Sequence, residues 1–94
     1  MKKYEVLYIL SPKMEADYQA NINQFESIVL SNGGSVIKSD YWGKKRLAYE
    51  INGYNDGIYV LTEFFAESVA VKELDRKLKL SEDVLRHMIL RKEE

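Results

Sequence analysis

The sequence predicts a single α+β domain spanning residues 1–94, with four strands and two helices in the order strand, helix, strand, strand, helix, strand. Three observations carry that expectation. Short runs rich in Val, Ile, Leu, Tyr and Phe recur at strand length, two longer stretches repeat their apolar residues at three and four, and glycine-containing breaks separate them. With 94 residues the chain has room for one core between two layers.

Tyr4 to Leu10 reads as the first strand, stopped by Ser11-Pro12. Alternation puts Tyr4, Val6, Tyr8 and Leu10 on one side and Glu5, Leu7 and Ile9 on the other, so both faces are apolar and the strand belongs in the middle of its sheet. From about Glu15 to Asn32, Tyr18, Ile22, Phe25, Ile28 and Val29 mark an amphipathic helix that Asn32-Gly33-Gly34 ends. Ser35 to Asn52 is a long extended stretch in which Gly43 predicts a bulge or bend. Gly53 to Gly57, closing on Asn55-Asp56-Gly57, is the expected hairpin turn, and Ile58 to Phe65 the next strand. Ser68 is the expected N-cap of a second helix through about Leu80, with Val71, Leu74 and Leu78 on one face. Val84 to Leu90 is the last strand, and Lys92-Glu93-Glu94 reads as a frayed end.

This order is the ferredoxin-like split βαβ plan, a four-stranded antiparallel sheet with two helices on one face and the first and third strands central. Alternation then turns Val6, Tyr8, Val60, Thr62, Phe64, Leu47, Tyr49 and Ile51 toward the helices. Glu5, Leu7, Ile9, Tyr59, Leu61, Glu63, Arg86, Met88 and Leu90 fall on the open face. A solvated sheet face would be polar, so these apolar neighbours predict a partner surface.

Composition narrows the chemistry. Zero cysteines exclude disulfides, cysteine-ligated zinc and thiol catalysis. The longest unbroken apolar run, Val6 to Leu10, is far below the roughly 20 residues of a membrane-spanning helix, and no cleavage site follows it. A cytosolic or organelle-made protein is the expectation. His87 lies among Leu85 and Ile89 with no companion nucleophile or ligand cluster, so it is read as structural and no metal or other cofactor is expected. No phosphate-loop motif is present, since Asn32-Gly33-Gly34 follows a helix where such loops precede one. Catalysis is not expected. The balance of 14 Lys and Arg against 15 Asp and Glu argues against a solitary nucleic-acid binder, although Lys44-Lys45-Arg46 directly after Tyr41-Trp42-Gly43 sets cationic and aromatic groups side by side.

The run Tyr41-Trp42-Gly43-Lys44-Lys45-Arg46-Leu47-Ala48-Tyr49-Glu50-Ile51 strongly resembles the signature of the bacterial small ribosomal subunit protein six family. Lys3-Tyr4-Glu5-Val6 with Ser11-Pro12, Asn32-Gly33-Gly34, and Glu82-Asp83-Val84-Leu85-Arg86-His87-Met88 extend the resemblance over nearly the whole chain. Glu50 stands where many members carry proline, and the long acidic C-terminal extension of some members is not matched here.

The resemblance implies a structural component of the small ribosomal subunit in the cytoplasm, or in an organelle. It would bind the central domain of the small-subunit ribosomal RNA as a heterodimer with ribosomal protein eighteen. Under that reading Lys2, Lys3, Arg86, Arg91 and Lys92 are the first candidates for RNA phosphates, with Lys44, Lys45 and Arg46 the second. Leu7, Ile9, Tyr59, Leu61 and Met88, together with Trp42, are the candidates for the protein partner. Glu5 and Arg86 are expected to pair across the sheet, while Leu47 and Tyr49 are expected in the core. The rival readings are a ligand-sensing or protein-interaction module of the same fold and a small acyl phosphatase. Ser11-Pro12-Lys13-Met14 offers neither a glycine-rich ligand loop nor a cationic anion loop.

Overall fold

The computed structural model describes residues 1–92. It comprises β1 (Lys2–Leu10), α1 (Tyr18–Ser31), β2 (Ser35–Ile51), β3 (Tyr54–Ala66), α2 (Ser68–Leu80) and β4 (Val84–Lys92). The sheet order is β2-β3-β1-β4 with every pairing antiparallel, so β1 and β3 are central and the ferredoxin-like plan holds. Lys92, read as part of a frayed end, is the last residue of β4 and stands opposite Lys3. Glu93 and Glu94 lie outside the described residues.

The core sits between one sheet face and the two helices. Val6, Tyr8, Leu10, Ile58, Val60 and Phe64 meet Ile22, Phe25 and Val29 from α1 and Ala70, Leu74 and Leu78 from α2. Each large side chain so buried contributes on the order of 1.5–3 kcal/mol. Tyr8 packs edge-on against Phe25 at 5.1 Å, and burial pushes its phenol well above the ordinary value. Beside it, Ser39 donates its hydroxyl to Glu26 at 2.5 Å and lies 2.8 Å from the Thr62 hydroxyl, which pairs these three polar groups where α1 crosses β2 and β3.

Three boundaries differ from the sequence reading. Pro12–Met14 form a 3-10 turn, with the Ser11 hydroxyl accepting from the Lys13 amide at 3.3 Å, and α1 begins only at Tyr18. Ser68 is the first residue of α2; Glu67 occupies the cap with extended backbone and gives no side-chain hydrogen bond. The hairpin turns at Asn52-Gly53 (φ 49° and 85°), with Ile51 opposite Tyr54. Two successive residues at positive φ are what a two-residue primed turn requires. Asn55-Asp56-Gly57 belongs to β3, and Gly57 is there for space: a Cβ would strike the Ile9 side chain and come within 3.3 Å of Leu47 Cδ2.

The expected bulge is present, because the β2–β3 register slips between Tyr41 and Gly43, where Gly43 adopts φ 87°. Its consequence overturns part of the face assignment. Tyr41 is opposite Val60 on the helix side, but the extra residue inverts the alternation beyond it. Lys44 and Arg46 therefore point to the helix side, and Lys45 and Leu47 to the open face. Leu47 is buried against Ile9 and Gly57, apart from the helix-side core. Tyr49 is 59% exposed, with the Arg86 guanidinium over its ring at 5.3 Å. Ile51 is half-buried beside the turn and does not join the core.

Candidate RNA and partner surfaces

The pairing registers build the open face as three cross-strand rows. Leu61, Leu7 and Met88 lie side by side; Tyr59, Ile9 and Arg86 form the row toward the β2–β3 turn; Glu63, Glu5 and Leu90 form the row toward the start of β1. Met88 keeps 52% of its surface exposed and Leu90 45%. Trp42 stacks nearly parallel on Tyr59, with ring centroids 6.5 Å apart and planes 10° apart, yet remains 45% exposed. All six partner candidates thus lie on one face, and the bulge adds Leu47 and Tyr49 to it.

The basic candidates do not form one patch. Lys2, Lys3, Arg91 and Lys92 gather at one end of the sheet, because Lys3 is opposite Lys92 and Tyr4 opposite Arg91. Lys3 and Lys92 project onto the open face, whereas Arg91, alongside Tyr4, is on the helix side. Arg86 is five residues away along β4, about 17 Å. It stands opposite Ile9, so the expected Glu5–Arg86 pair does not form; Glu5 instead meets Lys92 at 3.8 Å. Lys44-Lys45-Arg46 is divided between the two faces, and Lys44 approaches Glu15 at 3.8 Å. Lys45 and Arg46 make no ion pair among the described residues.

Carboxylates fill the end where Lys3 lies. Glu63 is 3.9 Å from Lys3 and 3.5 Å from Lys38, and Lys38 also reaches Asp40 at 3.4 Å. Asp40 first, then Glu63, hold the Lys38 ammonium above its ordinary value. His87 is tied on the helix side to Asp75 at 2.7 Å, with its side chain 14% exposed, which anchors β4 to α2. Among the described residues no group of three His, Asp or Glu is placed to hold a metal ion, and no helix is long and apolar enough to cross a membrane.

The family model for ribosomal protein S6 matches residues 3–91. The chain belongs to the ribosomal protein S6 family. It is 50% identical over 95 residues to small ribosomal subunit protein bS6 of Desulforamulus reducens, covering the whole of both chains. It is 43% identical over 91 residues to bS6 of Clostridium acetobutylicum, covering 96% of each. In fold it is similar to the crystal structure of 30S ribosomal protein S6 from Thermotoga maritima, with a TM-score of 0.88 at 22% identity over 97% of this chain and 87% of that one. The C-terminal domain of the MgtC protein from Mycobacterium tuberculosis shares the plan more distantly, with a TM-score of 0.64 at 20% identity over 99% of this chain and 89% of that one. Membership makes this a small ribosomal subunit protein of the bacterial type, a structural constituent of a ribonucleoprotein that serves translation.

The surface residues that sequence reasoning misplaced are Leu47 and Tyr49. Their signal was in the chain: the glycine that announces the bulge also announces that alternation must be recounted beyond it.

Proposed function

We propose that this S6-family chain docks its open sheet face against ribosomal protein eighteen and, as that heterodimer, binds the central domain of small-subunit ribosomal RNA within cytoplasmic ribosomes. It contributes no catalysis. The single observation that carries the reading is the Leu61–Leu7–Met88 row, flanked by Trp42 on Tyr59, on the face that no helix covers. An apolar strip with an exposed aromatic is what a protein interface core requires. Lys2, Lys3, Arg91 and Lys92 at one end, and Lys45 and Arg46 on the long hairpin, are the phosphate contacts, with Arg86 and Lys44 the more engaged members of the set. A chain of net charge −1 gains most of its RNA affinity through a more basic partner.

The test is RNA binding of the purified chain with and without that partner. Weak binding alone and strong binding together support the heterodimer. Nanomolar binding by the chain alone, unchanged on adding the partner, overturns it. Replacing Lys2 and Lys3 by Ala should lower the salt slope of RNA binding by about two at most. An unchanged slope removes those two lysines from the contact.

A further inference from the structure

On the helix side, α1 and α2 leave a groove of about 510 Å³ between the last turn of α1 and the stretch of α2 from Val69 to Lys77. Ile28 and Val69 supply its apolar lining, and Lys72, Arg76 and Lys77 its charge. Glu73 is the one carboxylate there, and it is already engaged: Arg76 Nε donates to it at 3.2 Å and Nη2 at 2.7 Å. That hydrogen bond is the main reason the Glu73 carboxyl lies below its ordinary value. Lys72 and Lys77 make no ion pair among the described residues, so the groove keeps a net excess of two positive charges.

The neighbouring face of α1 adds no opposing charge. Its exposed residues include Gln19, Asn23, Gln24, Ser27 and Ser31, all neutral hydrogen-bonding groups, while Glu26 is turned to Ser39. A polyanion therefore meets no exposed carboxylate from α1, and the partial negative charge at the carbonyl end of α1 is outweighed by Lys72, Arg76 and Lys77. The local alternative is that the lysines complement the carbonyl end of α1, whose last turn has no basic residue.

We propose that this groove is a second phosphate-binding site for ribosomal RNA, on the side of the domain away from the protein partner. The proposal rests on the RNA reading above and extends it: the domain, 20 Å across its shortest dimension, sits between two RNA segments and holds them apart. Lys72 and Lys77 act as point charges, and Arg76, oriented by Glu73, offers its remaining donors to phosphate oxygens.

The experiment measures the salt dependence of central-domain RNA binding by the complete heterodimer carrying Lys72→Ala with Lys77→Ala, and in parallel by one carrying Lys45→Ala with Arg46→Ala. The expected result is a slope lowered by about one to two for the groove variant, with its thermal midpoint and partner affinity unchanged. Lys72→Glu with Lys77→Glu should weaken binding further. An unchanged slope in the groove variant, while the hairpin variant lowers it, overturns the groove and leaves the RNA reading standing. A lowered thermal midpoint with an unchanged slope also overturns it, in favour of the helix-end role. A wild-type heterodimer that does not bind the RNA removes the RNA reading itself, and the groove proposal with it.

Discussion

The two ends of the open sheet face solve the problem of an uncovered surface in opposite ways. Near the start of β1, Lys3, Lys38 and Lys92 are matched by Glu5, Asp40 and Glu63 at 3.4–3.9 Å, which leaves a charge lattice suited to water. From the Leu61–Leu7–Met88 row to the β2–β3 turn the face is apolar and aromatic, adding Ile9, Leu47, Tyr59, Trp42 and Tyr49, with Arg86 held over an aromatic ring and paired to no carboxylate among the described residues. Paired surface charges contribute little net energy to association, whereas half-buried aromatic and aliphatic groups contribute most of it. Under the docking reading proposed above, the difference assigns the energy of association to the apolar end, while the charged end would set orientation and exclude wrong partners.

The largest expected effect breaks the apolar end. Leu7→Asp puts a carboxylate in the middle of the Leu61–Leu7–Met88 row and should weaken binding of ribosomal protein eighteen about 100-fold or more, in the range of an interface hot spot. Leu7 is half-buried on the open face and lies outside the helix-side core, so the variant should still fold, as circular dichroism would verify. Binding within a few-fold of wild type would move the interface off this face. Next in size is Gly57→Ala. Its new Cβ meets Ile9 and Leu47, and overpacking of this kind costs roughly 1–3 kcal/mol, a drop of several degrees in thermal midpoint. A midpoint equal to wild type would mean that the contact relaxes freely.

Most of the fold was legible because the signals were local. Tyr4 to Leu10 alternates visibly, Ile22, Phe25 and Val29 recur at helical spacing, and their burial follows from those patterns. The open-face residues of β1, β3 and β4 were legible for the same reason, since alternation holds from Glu5 to Ile9, from Tyr59 to Glu63 and from Arg86 to Leu90, and the β1–β4 register slips only beyond them, at Leu10 and Val84. The distal half of β2 was not. One inserted residue at Gly43 reverses the side chains that follow it, so Leu47 and Tyr49 change face, and a second slip between Arg46 and Ile51 then sets Ile51 opposite Tyr54. The turn was misplaced because Asn55-Asp56-Gly57 and Asn52-Gly53 both carry turn chemistry, and only the approach of Ile9 to Gly57 tells them apart. Glu5–Arg86 failed because register along β4 cannot be read from composition. It sets Arg86 beside Ile9 and leaves Lys92 for Glu5.

A smaller effect concerns the strand that spans both ends. β4 is held to α2 by His87 on Asp75 at 2.7 Å, and Lys79 takes the other carboxylate oxygen at 2.9 Å. The hydrogen bond from His87, then that from Lys79, keep the Asp75 carboxyl below its ordinary value of 3.8. A depressed carboxylate contributes stability that is fully present above that ordinary value and is lost as pH falls through the lower folded-state value. Asp75→Asn should therefore lower stability at neutral pH and flatten the acid limb of the stability curve, as denaturant titrations at several pH values would measure. An acid limb as steep as wild type would assign it to other carboxylates.

The smallest effect sharpens the comparison at its charged end. Glu63→Gln removes the negative charge shared by Lys3 and Lys38 but leaves the side chain's size and its place opposite Glu5 intact. Exposed pairs of this kind are screened by salt. The variant should therefore keep its affinity for ribosomal protein eighteen within about threefold of wild type at physiological salt, with the difference shrinking further as salt rises. It also releases Lys3 beside Lys2 and Lys92, while Lys38 stays on Asp40, so RNA binding by the heterodimer should become steeper in salt rather than shallower. A large loss of partner affinity from Glu63→Gln would erase the distinction between the two ends, because it would place docking energy in the charge lattice as well as in the apolar row.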